Sequence, residues 1–203
     1  GGDITRKKKL LLFLCFATVA CTIHTSAFML YFMYPLYYLK IKRSSLILIV
    51  PTFLIVLYFN KPIFGFLGSI LGQYTKYEAT VSSTGAYSMI VLLALFLIFS
   101  FVIPGNKKID EETNGLRNFL LLASLIQCFA PINYLAMRMN YYYLIFIPVL
   151  IPRIIANCAP QNQKIAEVSR HIMVVFFFIF YFRIANGDHT LNTIPYHFLW
   201  ESV

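Results

Sequence analysis

Long uncharged apolar stretches alternate with short polar ones along this chain, and their lengths set its organisation. Residues 10–39 contain no charged side chain, with His24 the one titratable imidazole among them. A second run covers residues 44–60 and a third 86–103. Residues 116–137 are interrupted only by Arg117, and residues 141–156 only by Arg153. A shorter run, 171–184, contains Arg183 near its end. A crossing helix needs about 20 mostly apolar residues. The pattern therefore predicts an all-α fold, a polytopic transmembrane helix bundle of about six membrane segments, in one integral-membrane domain over residues 1–203.

Residues 10–39 are too long for one ordinary span. As a single helix they would measure about 45 Å against a hydrocarbon core of about 30 Å. Basic clusters, Arg6-Lys7-Lys8-Lys9 and Lys40-Ile41-Lys42-Arg43, flank both ends. Cytoplasmic loops collect Lys and Arg, so both ends are expected on the same side. The run then goes in and returns as a broken or re-entrant pair, turning near Thr22-Ile23-His24-Thr25-Ser26. The alternative is one strongly tilted helix with His24 at mid-membrane.

Composition sharpens the membrane reading. Of 203 residues, 59% are hydrophobic and 12% charged, with 20 Phe and 14 Tyr. A soluble domain carries about twice that share of charge, so a water-soluble globule and a disordered chain are both excluded. The net charge of +9 sits in short clusters between apolar runs, which indicates membrane orientation and no nucleic-acid partner. Alternating the later spans puts Lys61, Lys76, Arg138 and Arg183 outside and the other thirteen of the seventeen Lys and Arg inside. Cys15, Cys21, Cys128 and Cys158 form no CxxC pair and no metal-spaced cluster. No nucleotide loop, serine elbow or zinc motif occurs, so no cofactor and no metal are expected.

Three places carry candidate chemistry. Arg138 stands among Asn133, Tyr134, Asn140 and Tyr141-Tyr142-Tyr143, where one apolar run gives way to the next on the expected outer side. An intramembrane charge is costly and is usually paired or functional, and a guanidinium grips phosphate with two donors. The plainer reading is an Arg reaching to the headgroups. His24 is followed by Thr25 and Ser26, which are placed to cap a helix starting at Ala27. A chain break there would present free N–H groups to an anion, beside a potential acid or base; a packing histidine is the bland alternative. Third, Tyr74, Tyr77 and Glu78 lie in the expected outer loop. Tyrosines there contact sugars or form an interfacial belt, and Glu78 is one of few outer acids. His24 and Glu78 are thus the acid–base candidates; Arg138, Ser26, Tyr74, Tyr77 and Tyr142 are the binding candidates.

The order of these elements is similar to that of the EpsG-like family of bacterial exopolysaccharide proteins, relatives of Wzy-type oligosaccharide polymerases. The resemblance rests on Ile23-His24-Thr25-Ser26-Ala27, Tyr74-x-x-Tyr77, Arg138 followed by Tyr141-Tyr142-Tyr143, Ile147-Pro148, the later Tyr181, and Pro195-Tyr196. It covers nearly the whole chain and corresponds to the C-terminal part of a longer protein, whose earlier spans carry a characteristic Arg. The resemblance implies metal-independent glycosyl transfer at the outer face of the bacterial cytoplasmic (inner) membrane. Repeat units on a polyprenyl diphosphate would be joined there, alongside other polysaccharide-synthesis membrane proteins and within the lipid bilayer. The alternative is non-catalytic binding or translocation of the same lipid-linked sugar; a third possibility is a helical membrane segment whose polar residues only pack.

Overall fold

The computed structural model describes residues 2–71, 83–105 and 107–187, and every regular element among them is helical. The helices are α1 (Gly2–Ile23), α2 (Met33–Tyr38), α3 (Leu46–Tyr58), α4 (Asn60–Leu71), α5 (Ser83–Val102), α6 (Glu111–Gln127), α7 (Tyr134–Leu144), α8 (Ile147–Ala156) and α9 (Gln163–Gly187). A 3-10 stretch, Thr25–Phe32, joins α1 to α2, and short 3-10 turns lie at Arg43–Ser45 and Pro160–Asn162.

One of these helices is long and apolar enough to cross a membrane: Gly85–Val102 within α5 has a mean hydropathy of 2.4. Two further candidates exist if each bent pair counts as one span, namely α3 with α4, bent by 79°, and α7 with α8, bent by 42°. The expected runs are thus more fragmented than their composition suggests. Proline explains three of the interruptions. Its ring clashes with the carbonyl four residues earlier and its nitrogen donates no hydrogen bond. Pro62, Pro131 and Pro148 each stand four residues after a helix's last residue, Tyr58, Gln127 and Leu144 respectively. One consequence corrects the expected layout. The chain turns at residues 128–133, and Arg138 lies within α7. Asn133 caps that helix, its Oδ1 accepting from the Leu135 N–H at 2.8 Å.

Residues 10–39 are broken without proline. At His24 the backbone is extended, with φ −143° and ψ 115°. The chain then returns along α1: Thr18 Oγ1 lies 2.8 Å from the Tyr31 hydroxyl, and the Phe13 and Tyr34 rings are 5.9 Å apart. These nested contacts define an antiparallel hairpin, so the broken pair is observed and the single tilted helix is not. The return arm starts as a 3-10 helix, and its cap is His24 itself, whose Nδ1 accepts from the Ser26 N–H. Thr25 and Ser26 lie inside the 3-10 stretch and do not provide the cap expected of them.

The hairpin, α5, α7 and α8 pack around α6, whose residues 115–120 are all buried. Leu93, Phe96 and Phe101 of α5, Phe119 and Leu120 of α6, Tyr143 of α7, and Leu150 and Ile154 of α8 share this core. At Gly115 the two helices α2 and α6 nearly touch, since a Cβ there would lie 2.3 Å from Tyr37 Cδ2. By contrast, Leu11, Phe16, Ile47, Leu48, Val174 and Phe178 present large apolar side chains at the surface. Such a surface suits hydrocarbon as its solvent.

Candidate functional site

The hairpin tip and α7 meet at an open cavity of about 520 Å³. His24, Ser26, Leu30 and Met33 line it from the hairpin; Arg138, Tyr141, Tyr142, Ile145 and Phe146 line it from α7 and its end. Positions 138, 141, 142 and 145 recur at helical spacing, so one face of α7, with its C-cap, supplies all four side chains. Tyr143, one residue on, points into the core, where its hydroxyl donates to the Met29 carbonyl at 2.5 Å. That bond ties the return arm to α7 and sets the separation of the cavity's two walls.

A short relay joins those walls. Ser26 Oγ lies 2.9 Å from His24 Nδ1 and 3.0 Å from the Tyr142 hydroxyl. Because Nδ1 faces the Ser26 N–H, it acts as an acceptor, and the neutral ring then carries its proton on Nε2. Ser26 is buried, whereas His24 and Arg138 are exposed. The lower wall is apolar through Leu30, Met33, Ile145 and Phe146. The cavity therefore combines a cationic and hydroxyl-bearing rim with a greasy wall, which matches an amphiphile with an anionic head.

Four of the candidate residues, His24, Ser26, Arg138 and Tyr142, come together here from two distant segments of the chain. Tyr74, Tyr77 and Glu78 lie outside the described residues. Among the described residues, no group of three His, Cys, Asp or Glu side chains is placed to hold a metal ion.

A second polar cluster joins α6 to the end of α2. Asn114, Arg117 and Asn118 share one face of α6 and donate to the carbonyls beyond and within the end of α2. Asn114 reaches Leu39 O at 2.6 Å, Asn118 reaches Leu36 O and Leu39 O at 2.8 and 2.7 Å, and Arg117 reaches Ile41 O at 2.7 Å. Helix ends leave carbonyls without intrahelical partners; here side chains from a neighbour supply Leu39 O and Ile41 O and add to the Leu39 N–H at Leu36 O. The i, i+3, i+4 spacing of these residues was the available signal. Deeper in the core, Asn140 donates to Gln127 Oε1 at 2.8 Å, and Asn60 donates to the Cys128 carbonyl at 3.0 Å.

The EpsG family matches residues 3–198, nearly the whole chain. The chain belongs to the EpsG family. Its membership makes it a membrane protein of polysaccharide biosynthesis and links it to lipid-linked oligosaccharide. No curated protein and no solved structure matches it.

Proposed function

We propose that this EpsG-family chain binds a polyprenyl-diphosphate-linked oligosaccharide in the cavity between His24 and Arg138 and takes part in joining such repeat units into exopolysaccharide. The observation that carries this reading is the convergence of Arg138, His24, Ser26 and Tyr142 on one amphiphilic cavity. In that reading the chain is a multi-pass protein of the bacterial cytoplasmic membrane, with the cavity on its outer side. The Arg138 guanidinium takes two diphosphate oxygens, Tyr142 and the His24 ring supply further donors, and the apolar wall takes the first prenyl units.

Transfer would break the bond between the anomeric carbon and the diphosphate oxygen and form one to an acceptor hydroxyl. The leaving diphosphate keeps the electron pair, and Arg138 offsets its growing charge. The acceptor proton passes to a base, for which Glu78 and, by way of the Ser26 hydroxyl to Nδ1, His24 are the candidates. A binding or translocating role is the second reading. It is favoured by one observation: the described residues lining the cavity include no carboxylate.

The test is polymer formation by the full-length protein carrying Arg138→Lys or Arg138→Ala, at matched membrane abundance. Both substitutions are expected to reduce polymer by about a hundredfold, the scale of a lost charge-assisted pair of bonds. Normal polymer from the Lys variant would make Arg138 a headgroup anchor. Retained binding of lipid-linked sugar with no turnover in any full-length preparation would select the second reading.

A further inference from the structure

A second cavity, of about 650 Å³, lies at the other polar region of the hairpin, where residues 40–43 meet the segment leading into α6. Six bases line it: Lys40, Lys42, Arg43, Lys107, Lys108 and Arg117. Two acids, Asp110 and Glu111, share the lining. Asp110 is already engaged, accepting from the Thr113 N–H and hydroxyl as the cap of α6 and pairing with Arg153 at 3.3 Å. The remaining ion pairs seen among the described residues join Arg153 to Glu112 and Arg170 to Glu167. The cavity's six bases take part in none of these.

Clustered surface bases alone would be explained by membrane orientation. Arg117 differs from the others. It is only 6% exposed, its guanidinium lies 4.0 Å over the Phe101 ring, and one terminal nitrogen is held by Ile41 O and Asn114 Oδ1 at 2.7 and 2.8 Å. Its Nε has no hydrogen-bond partner. A buried guanidinium without a carboxylate leaves its charge uncompensated, which is costly. The stacking on Phe101 and the two fixed acceptors hold that charge at the cavity wall.

We infer that this cavity is an anion site for a phosphate group, separate from the sugar-lipid cavity and independent of the reading proposed for it. Arg117 is its buried anchor, and Lys107 and Lys108 belong to its outer ring. Two sources share this chemistry: the headgroup of an anionic phospholipid, and soluble phosphate. The volume exceeds that of a bare phosphate, which favours a headgroup.

The test uses the full chain purified in a neutral detergent and titrated with short-chain phosphatidylglycerol, short-chain phosphatidylcholine or inorganic phosphate, followed by thermal unfolding. Saturable stabilisation by phosphatidylglycerol, with K107Q/K108Q weakening it about tenfold and K8Q/K9Q leaving it unchanged, is the expected result. Equal saturation by inorganic phosphate would assign the site to the soluble source. Absence of saturable stabilisation by either anion, or equal loss in K8Q/K9Q, would overturn the inference. The K107Q/K108Q pair lies on an exposed segment, so it reads binding without removing the buried Arg117.

Discussion

The two polar clusters of this chain use similar side chains for opposite ends. Around Arg117, donors at helical spacing on α6, with Arg117 and Asn118 buried and Asn114 partly so, bond the carbonyls of the hairpin's return arm and just beyond it. Around Arg138, donors at the same spacing on α7 face an open cavity and leave the hairpin's backbone to its own caps. The first cluster is bonded to main chain and is therefore part of the fold. In the second, one serine hydroxyl links the two cavity walls, and the cation is exposed. Helical spacing of polar residues does not distinguish them; the difference is what the facing element presents, carbonyls in one case and a tip of side chains in the other.

Substitutions should separate the clusters. Asn118→Leu removes two hydrogen bonds, to Leu36 O and Leu39 O, which still accept from the Leu39 N–H and the Asn114 amide, and is expected to destabilise by about 1–3 kcal/mol, whereas Arg138→Ala, at an exposed side chain, should cost about 1 kcal/mol or less. Thermal unfolding in one detergent measures both, and a large loss from Arg138→Ala would erase the contrast. Gly115→Ala comes next. Its methyl group meets the Tyr37 ring, so α2 must move away from α6, at about 1–3 kcal/mol. Wild-type stability in that variant would show that the hairpin is not pressed against α6.

Tyr142→Phe sharpens the other side. It removes the hydroxyl beside Ser26 and should cost about 1 kcal/mol or less in stability, while polymer yield from the full-length protein falls several-fold. Equal, small effects on both would place Tyr142 in packing alone. The smallest effect concerns Asp110. The Thr113 hydroxyl and N–H hold its carboxyl below the ordinary aspartate range, with Arg153 adding to the effect. A carboxyl depressed in the folded state contributes stability at neutral pH that is lost as pH falls through the folded value. Asp110→Asn keeps a good cap, so its stability at neutral pH should stay within about 0.5 kcal/mol. Part of the acid-induced loss should disappear in this variant, as pH scans of unfolding would show.

Much of the fold was legible in the amino-acid order. The apolar runs announce helices, and the excess length of residues 10–39 between two basic clusters announces a reversal. The location of that reversal followed from the polar patch at residues 22–26, and the structure breaks at His24. Charge alone puts the interruption at Arg138, whereas Pro131 and Asn133 set it before α7. A proline four residues past the ends of α3, α6 and α7 is a local signal for those three breaks, whereas Pro51 and Pro152 lie inside helices. At the candidate site, His24, Ser26 and Arg138 could be singled out because polar side chains are scarce in apolar runs.

Their meeting is a different kind of fact. Ser26 and Tyr142 are 116 positions apart, and no pattern along the chain specifies which helix face a hairpin tip will touch. Local sterics and backbone hydrogen bonding act over a few residues, so apolar periodicity, proline and caps already encode where helices run and stop. Which faces pack is chosen by the fit of whole surfaces: Gly115 admitting the Tyr37 ring, the Tyr143 hydroxyl reaching the Met29 carbonyl, and Asn118 closing the end of α2. Those contacts fix the hairpin against α6 and α7, and with it both the cavity at His24 and the basic cavity at Arg117.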